Sequence, residues 1–127
     1  MEAFRAQLKE LSKKNDDFRR VVFTGQHAQL VLMALPRGEE IGEEVHTVDQ
    51  ILYGVSGEGE AILDGRANSF EKGDVVAVPA GTPHNIKNTG KDPLKLFTVY
   101  APPQHAAGTV HRTKAEAMRD EADVPAR

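Results

Sequence analysis

Residues 2–14 place Phe4, Leu8 and Leu11 four and three apart among Glu, Lys, Arg and Gln, the spacing of a single helix face. The pattern predicts a short amphipathic N-terminal helix. From residue 20 onward the period changes. Arg20–Thr24 and Ala28–Leu35 are rich in aliphatic residues, and the second is apolar on both faces, as a strand buried between two layers would be. Gln50–Val55, Gly59–Leu63, Asn68–Glu71, Val75–Val78, Asn85–Lys87 and Leu94–Tyr100 follow as further short strands. Asp64–Gly65 reads as a two-residue hairpin turn, and Pro79–Pro83 and Asn88–Asp92 as further turns. Some eight strands with no helix between them predict an antiparallel sandwich or barrel. Phe23, Leu30, Leu32, Met33, Leu52, Ile86, Leu96 and Phe97 are expected to fill and line it.

Glycine and proline mark the limits of this β-rich stretch. All eleven glycines fall between Gly25 and Gly108, and six of the seven prolines between Pro36 and Pro103. The expected organisation is an N-terminal helix or arm over 1–19, a barrel over 20–103 and a C-terminal arm over 104–127. Thr113 and Glu116 have capping-box spacing ahead of Lys114–Ala122, so the arm is either partly helical or a disordered tail.

Composition narrows the chemistry. The chain has 127 residues and a net charge of −3, with a pI near 5.9, which favours neither nucleic acid nor an anionic membrane as partner. No apolar run approaches a membrane span and no signal-peptide core is present, so a cytoplasmic protein is expected. The absence of cysteine excludes disulfides, thiolate metal sites and cysteine nucleophiles. A metal, if held, takes nitrogen and oxygen ligands. The five histidines, His27, His46, His84, His105 and His111, therefore need explaining.

Glu44 and His46 are two apart and on a strand would share a face, and Gln50 keeps that parity. Tyr53 falls on the opposite face. A neighbouring strand bringing His84 alongside would gather one carboxylate, two imidazoles and one amide, a credible site for one divalent ion.

At these positions the sequence resembles the cupin family, whose two motifs are G-x5-H-x-H-x3–4-E-x6-G and G-x5-P-x-G-x2-H-x3-N. Gly73, Pro79, Gly81, His84 and Asn88 match every fixed position of the second. Gly38, Glu44, His46, Gln50 and Gly57 match the spacing of the first, with Glu44 in place of its first His and Gln50 in place of its Glu. Fifteen residues separate Gly57 from Gly73, as in small prokaryote-like cupins. The exchange keeps one carboxylate in the set. Gly42–His46, Pro102–Pro103 and Gly108–His111 are similar to a branch of single-domain cupins labelled mannose-6-phosphate-isomerase-like.

The resemblance implies an all-β cupin jelly-roll barrel, or double-stranded β-helix, of the RmlC-like type. It implies a divalent metal (Zn, Mn, Fe or Ni) on Glu44, His46, Gln50 and His84, a small-molecule ligand and a homodimer. The expected activity is isomerase or lyase chemistry on a small polar or sugar-like metabolite. A non-catalytic ligand-binding module and an iron-dependent dioxygenase are the alternatives. His105, His111 and Tyr100 are further candidates for an acid or base, since the first two can fold over the barrel mouth; His27 is expected to be structural.

Overall fold

The computed structural model describes residues 2–123. After helix α1 (Leu8–Lys14) come β1 (Arg19–Thr24), β2 (Gln29–Leu35), β3 (Asp49–Ser56), β4 (Glu58–Leu63) and β5 (Arg66–Glu71). Then follow β6 (Val75–Val78), β7 (His84–Asn88), β8 (Leu94–Ala101), β9 (Val110–His111) and α2 (Lys114–Asp123). The order β6-β3-β8-β2-β1-β9 makes a six-stranded antiparallel sheet, and β5-β4-β7 makes a three-stranded one. This is the jelly-roll architecture that the strand pattern and the resemblance predict.

The core lies between the sheets. Val31, Met33, Leu35, Leu52, Leu94 and Leu96 of the larger sheet meet Ala61, Phe70 and Ile86 of the smaller. Each large apolar side chain so buried contributes about 1.5–3 kcal/mol relative to exposure. Five of the seven residues of β2 are buried in an unbroken run, Val31 to Leu35, because Val31, Met33 and Leu35 face the core while the N-terminal segment around Leu11 and Asn15 lies by Leu32 on the other face. Its apolar reading on both faces follows from that position. Of the expected core residues, Phe23, Leu30 and Phe97 are only half-buried.

Turn chemistry agrees with the sequence. Asp64 and Gly65 both have positive φ, 51° and 82°, as a tight hairpin between β4 and β5 requires. The capping box forms: Glu116 N–H donates to Thr113 Oγ1 at 3.2 Å, and Glu116 Oε2 accepts from the N–H groups of Arg112 and Thr113.

Three expectations are corrected. The N-terminal helix does not span 2–14 but begins at Leu8, with Gln7 at its start making no side-chain cap. Phe4 instead turns toward Phe23, their ring centroids 6.2 Å apart. Glu44 and His46 do not lie on a regular strand; residues 41–48 form a loop touching β7 through an isolated bridge between Glu44 and His84. A ninth strand also appears, because Val110–His111 pairs with Arg19–Arg20 at the edge of the larger sheet.

Candidate metal centre

The loop before β3 carries two site residues, and β7 carries a third. Glu44 N–H donates to the His84 carbonyl at 2.9 Å, and His84 N–H returns a bond to the Glu44 carbonyl at 3.0 Å. That reciprocal pair fixes the two backbones side by side. Gly81 N–H donates to the His46 carbonyl at 2.8 Å, tying the turn before β7 to the same loop. Gly81 has φ +86°, a left-handed conformation that costs glycine least, which accounts for glycine at this motif position.

Other side chains shape the loops. Asp49 Oδ1 accepts from Ala80 N–H at 2.9 Å and holds the Pro79–Gly81 turn. Asn85 Oδ1 accepts from Gly42 N–H at 2.8 Å, while its Nδ2 donates to Glu40 Oε1. Asn88 closes the second motif structurally, donating to the carbonyls of Leu35 and Asp92.

Glu44, His46 and His84 each offer a ligand atom, and the three atoms lie within 4.8 Å of one another. His46 Nε2 is 3.4 Å from Glu44 Oε1, without hydrogen-bond alignment. His84 Nδ1 lies 2.9 Å from the Thr82 carbonyl, which can only accept, so the proton sits on Nδ1 and Nε2 carries the lone pair. That Nε2 is buried and has no hydrogen-bond partner. A buried polar atom without a partner costs stability unless something else satisfies it.

Gln50, on β3, is 2 % exposed and donates through Nε2 to Thr98 Oγ1 at 3.0 Å. Its Oε1 is the acceptor left over, buried and without a hydrogen bond. The converging carboxylate and two imidazoles fit a first-row divalent ion, and Gln50 supplies a spare buried amide oxygen on the adjoining strand.

Electrostatics keep Glu44 ready to serve. Burial pushes its carboxyl upward, but the His46 ring 3.4 Å away, joined by Arg19 and His84, outweighs that and holds it below the ordinary value of 4.5. Tyr100 behaves oppositely. Burial, reinforced by the Glu44 charge against a smaller opposing effect of Arg19, drives its phenol far up, so it remains a neutral donor.

Tyr100, on β8, faces Gln50 across the sheet. Its ring meets His46 edge-on, centroids 5.7 Å apart, and His105 edge-on at 5.1 Å. The rings of His46 and His84 are 5.2 Å apart. Tyr100 and His105 thus join the ring cluster about the centre. His111 sits elsewhere in the fold: its Nδ1 meets Arg19 Nη1 at 3.2 Å and its Nε2 meets Asp120 Oδ2 at 2.9 Å, between β1 and α2. His27 and Glu43 are exposed.

Sequence reasoning missed Thr98, the Thr82 carbonyl and Arg19. Thr98 is opposite Leu52, two residues along β3 from Gln50, so it follows only once β3 and β8 are aligned. A main-chain carbonyl leaves no trace in the sequence.

The chain is 44% identical over 126 residues to the uncharacterized protein YrkC of Bacillus subtilis, covering 93% of this chain and 67% of that protein. The solved structure of BH2720 from Bacillus halodurans superposes with a TM-score of 0.90 at 42% identity, covering 93% of this chain and 95% of that one. A predicted oxalate decarboxylase from Thermotoga maritima superposes with a TM-score of 0.58 at 29% identity, over 61% of this chain and 69% of that one. Residues 31–100 match the cupin domain, a stretch that contains Glu44, His46, Gln50 and His84, and the chain belongs to the cupin family.

Proposed function

We propose that this cupin binds one divalent metal through Glu44, His46 and His84, with Gln50 as a fourth donor, and acts on a small polar or sugar-like metabolite by isomerase or lyase chemistry. The observation carrying this reading is the buried, unpartnered Nε2 of His84, its tautomer fixed by the Thr82 carbonyl, converging with Glu44 and His46. A structural relative named as a predicted oxalate decarboxylase supports the lyase side.

A bound ion would polarise a carbonyl or diol oxygen of the ligand and stabilise negative charge developing there. The ionised Glu44 offsets part of the ion's charge, and His46 and His84 present neutral nitrogens. Tyr100 keeps its proton and offers a hydrogen bond to a ligand oxygen. Its burial, at 1 % exposed, excludes water from that side.

A second copy of the chain is the expected macromolecular partner. Exposed Ile51 and Val75 share the outer face of the larger sheet with Tyr53 and Phe97, whose rings stack 5.1 Å apart. Among the described residues no helix is long and apolar enough to cross a membrane.

Metal analysis of protein purified without a nickel column tests the site. Roughly one ion per chain is expected, falling to a trace in a Glu44→Gln/His84→Ala double variant. Trace metal in the unmutated protein overturns the reading. Iron as the bound ion would move it to oxygen-dependent cleavage.

A further inference from the structure

Gln29, at the start of β2, is completely buried, yet its carboxamide is fully engaged. Oε1 accepts from the backbone N–H groups of Gln104 at 3.1 Å and His105 at 2.9 Å. Nε2 donates to Thr24 Oγ1 at 3.0 Å and to the His105 carbonyl at 2.7 Å. Three of these four bonds hold a segment 75 and 76 residues away in sequence. A buried amide with both acceptor positions and both donor hydrogens used is a strong geometric constraint, since releasing the segment strands polar groups away from water.

The segment so held carries one ionisable ring to one place. Gln29 lies directly opposite Tyr100 across β2 and β8, and the His105 ring meets the Tyr100 ring at 5.1 Å. Tyr100 in turn abuts His46, a ligand of the proposed centre. Nothing about a carboxamide in β2 is needed for the sheet itself, because the β2–β8 ladder is made by the backbone.

We propose that Gln29 is a positioning residue, whose carboxamide fastens residues 104–105 across the end of the barrel and sets the His105 imidazole against Tyr100 beside the metal centre. His105 then forms part of the wall that a metal-bound molecule meets, as a proton donor or acceptor. The metal-side part of this proposal rests on the reading of Glu44, His46 and His84 as ligands; the fastening does not.

Proton nuclear magnetic resonance of the full chain separates the two. With five histidines the imidazole C–H signals are few, and His105→Gln assigns the one required. In metal-free protein, cross-relaxation between the His105 and Tyr100 rings is expected. It should disappear in Gln29→Met, a variant of similar volume without the amide. Amide exchange of Gln104 and His105 in the unmutated protein is expected to be about 100-fold slower than at exposed Ala106 and Ala107. That measurement stands even where Gln29→Met fails to fold.

Mn(II) then tests the metal side. The ion should broaden the His105 signal in the unmutated protein. In Gln29→Met the signal should sharpen while Mn(II) affinity stays within about twofold. Unprotected amides, or ring contact that persists in Gln29→Met, overturn the fastening. Bound Mn(II) that leaves His105 sharp overturns its place beside the centre. Failure of Mn(II) to bind overturns the metal reading, and the metal-free measurements still decide the fastening.

Discussion

The Thr82 carbonyl accepts the Nδ1 proton of His84 at 2.9 Å, so a backbone group two residues away decides which nitrogen the ring turns toward Glu44 and His46. Such a bond fixes both tautomer and ring orientation before any ion arrives. His84→Ala is expected to weaken Zn(II) or Mn(II) binding by about 100-fold or more, and to cost the metal-free fold about 1–3 kcal/mol through the lost Thr82 bond and the vacated buried space. Equilibrium dialysis with parallel thermal melts checks both. Unchanged affinity removes His84 from the ligand set.

Glu44 makes a prediction about acid. Burial opposes its charge, but His46, Arg19 and His84 together hold its folded pKa below 4.5. A depressed pKa means the ionised carboxylate adds stability above the unfolded value, and that contribution is lost as pH falls through the folded one. Metal-free Glu44→Gln should therefore lose less stability than the unmutated protein between about pH 5 and about pH 3. Urea midpoints across that range measure it, and identical acid limbs would remove Glu44's favourable pairing.

Gln50 and Thr98 are coupled through one buried hydrogen bond of 3.0 Å. Gln50→Leu alone strands Thr98 and is expected to cost about 1–3 kcal/mol. Adding Thr98→Val should recover most of that loss, since both polar groups are then gone. Metal affinity should fall in both variants. A double variant as unstable as the single, by chemical denaturation, would mean the loss comes from packing.

Arg19 is 2 % exposed, lies 5.3 Å from the centre of the Phe18 ring and donates to His111. His111→Ala takes away one contact of that buried cation, leaving Glu121 Oε1 at 3.7 Å, and should cost about 1–3 kcal/mol. Asp120→Ala, at the half-exposed end of the same chain of bonds, should cost less than about 1 kcal/mol. Denaturant titrations of the two variants give the ratio. Neither should change metal affinity.

The strands and turns of the barrel were legible because each signal is local. Alternation, Asp64–Gly65 and the Thr113–Glu116 cap all act within a few residues. The grouping of Glu44, His46 and His84 was legible for another reason: the motif glycine Gly81 and the reciprocal Glu44–His84 bonds tie fixed spacings to fixed geometry. What escaped is long-range. Strand β9 has only two residues and exists because β1 offers it an edge. Residues 2–7 carry a helical pattern that gives way to Phe4 packing on Phe23. Gln29 resembles any polar residue at a strand start until residues 104 and 105 are found on its amide.

Strand β9 also has a consequence for solubility. Without it, β1 would present unpaired backbone donors and acceptors to solvent, a template on which another chain could add a strand. A chain ending at residue 103 would keep Glu44, His46, Gln50 and His84 but lose His105 and this guard, together with the His111 partner of Arg19. Such a fragment is expected to self-associate by edge-to-edge pairing along Arg19 and Arg20, the backbone that the short terminal strand otherwise covers.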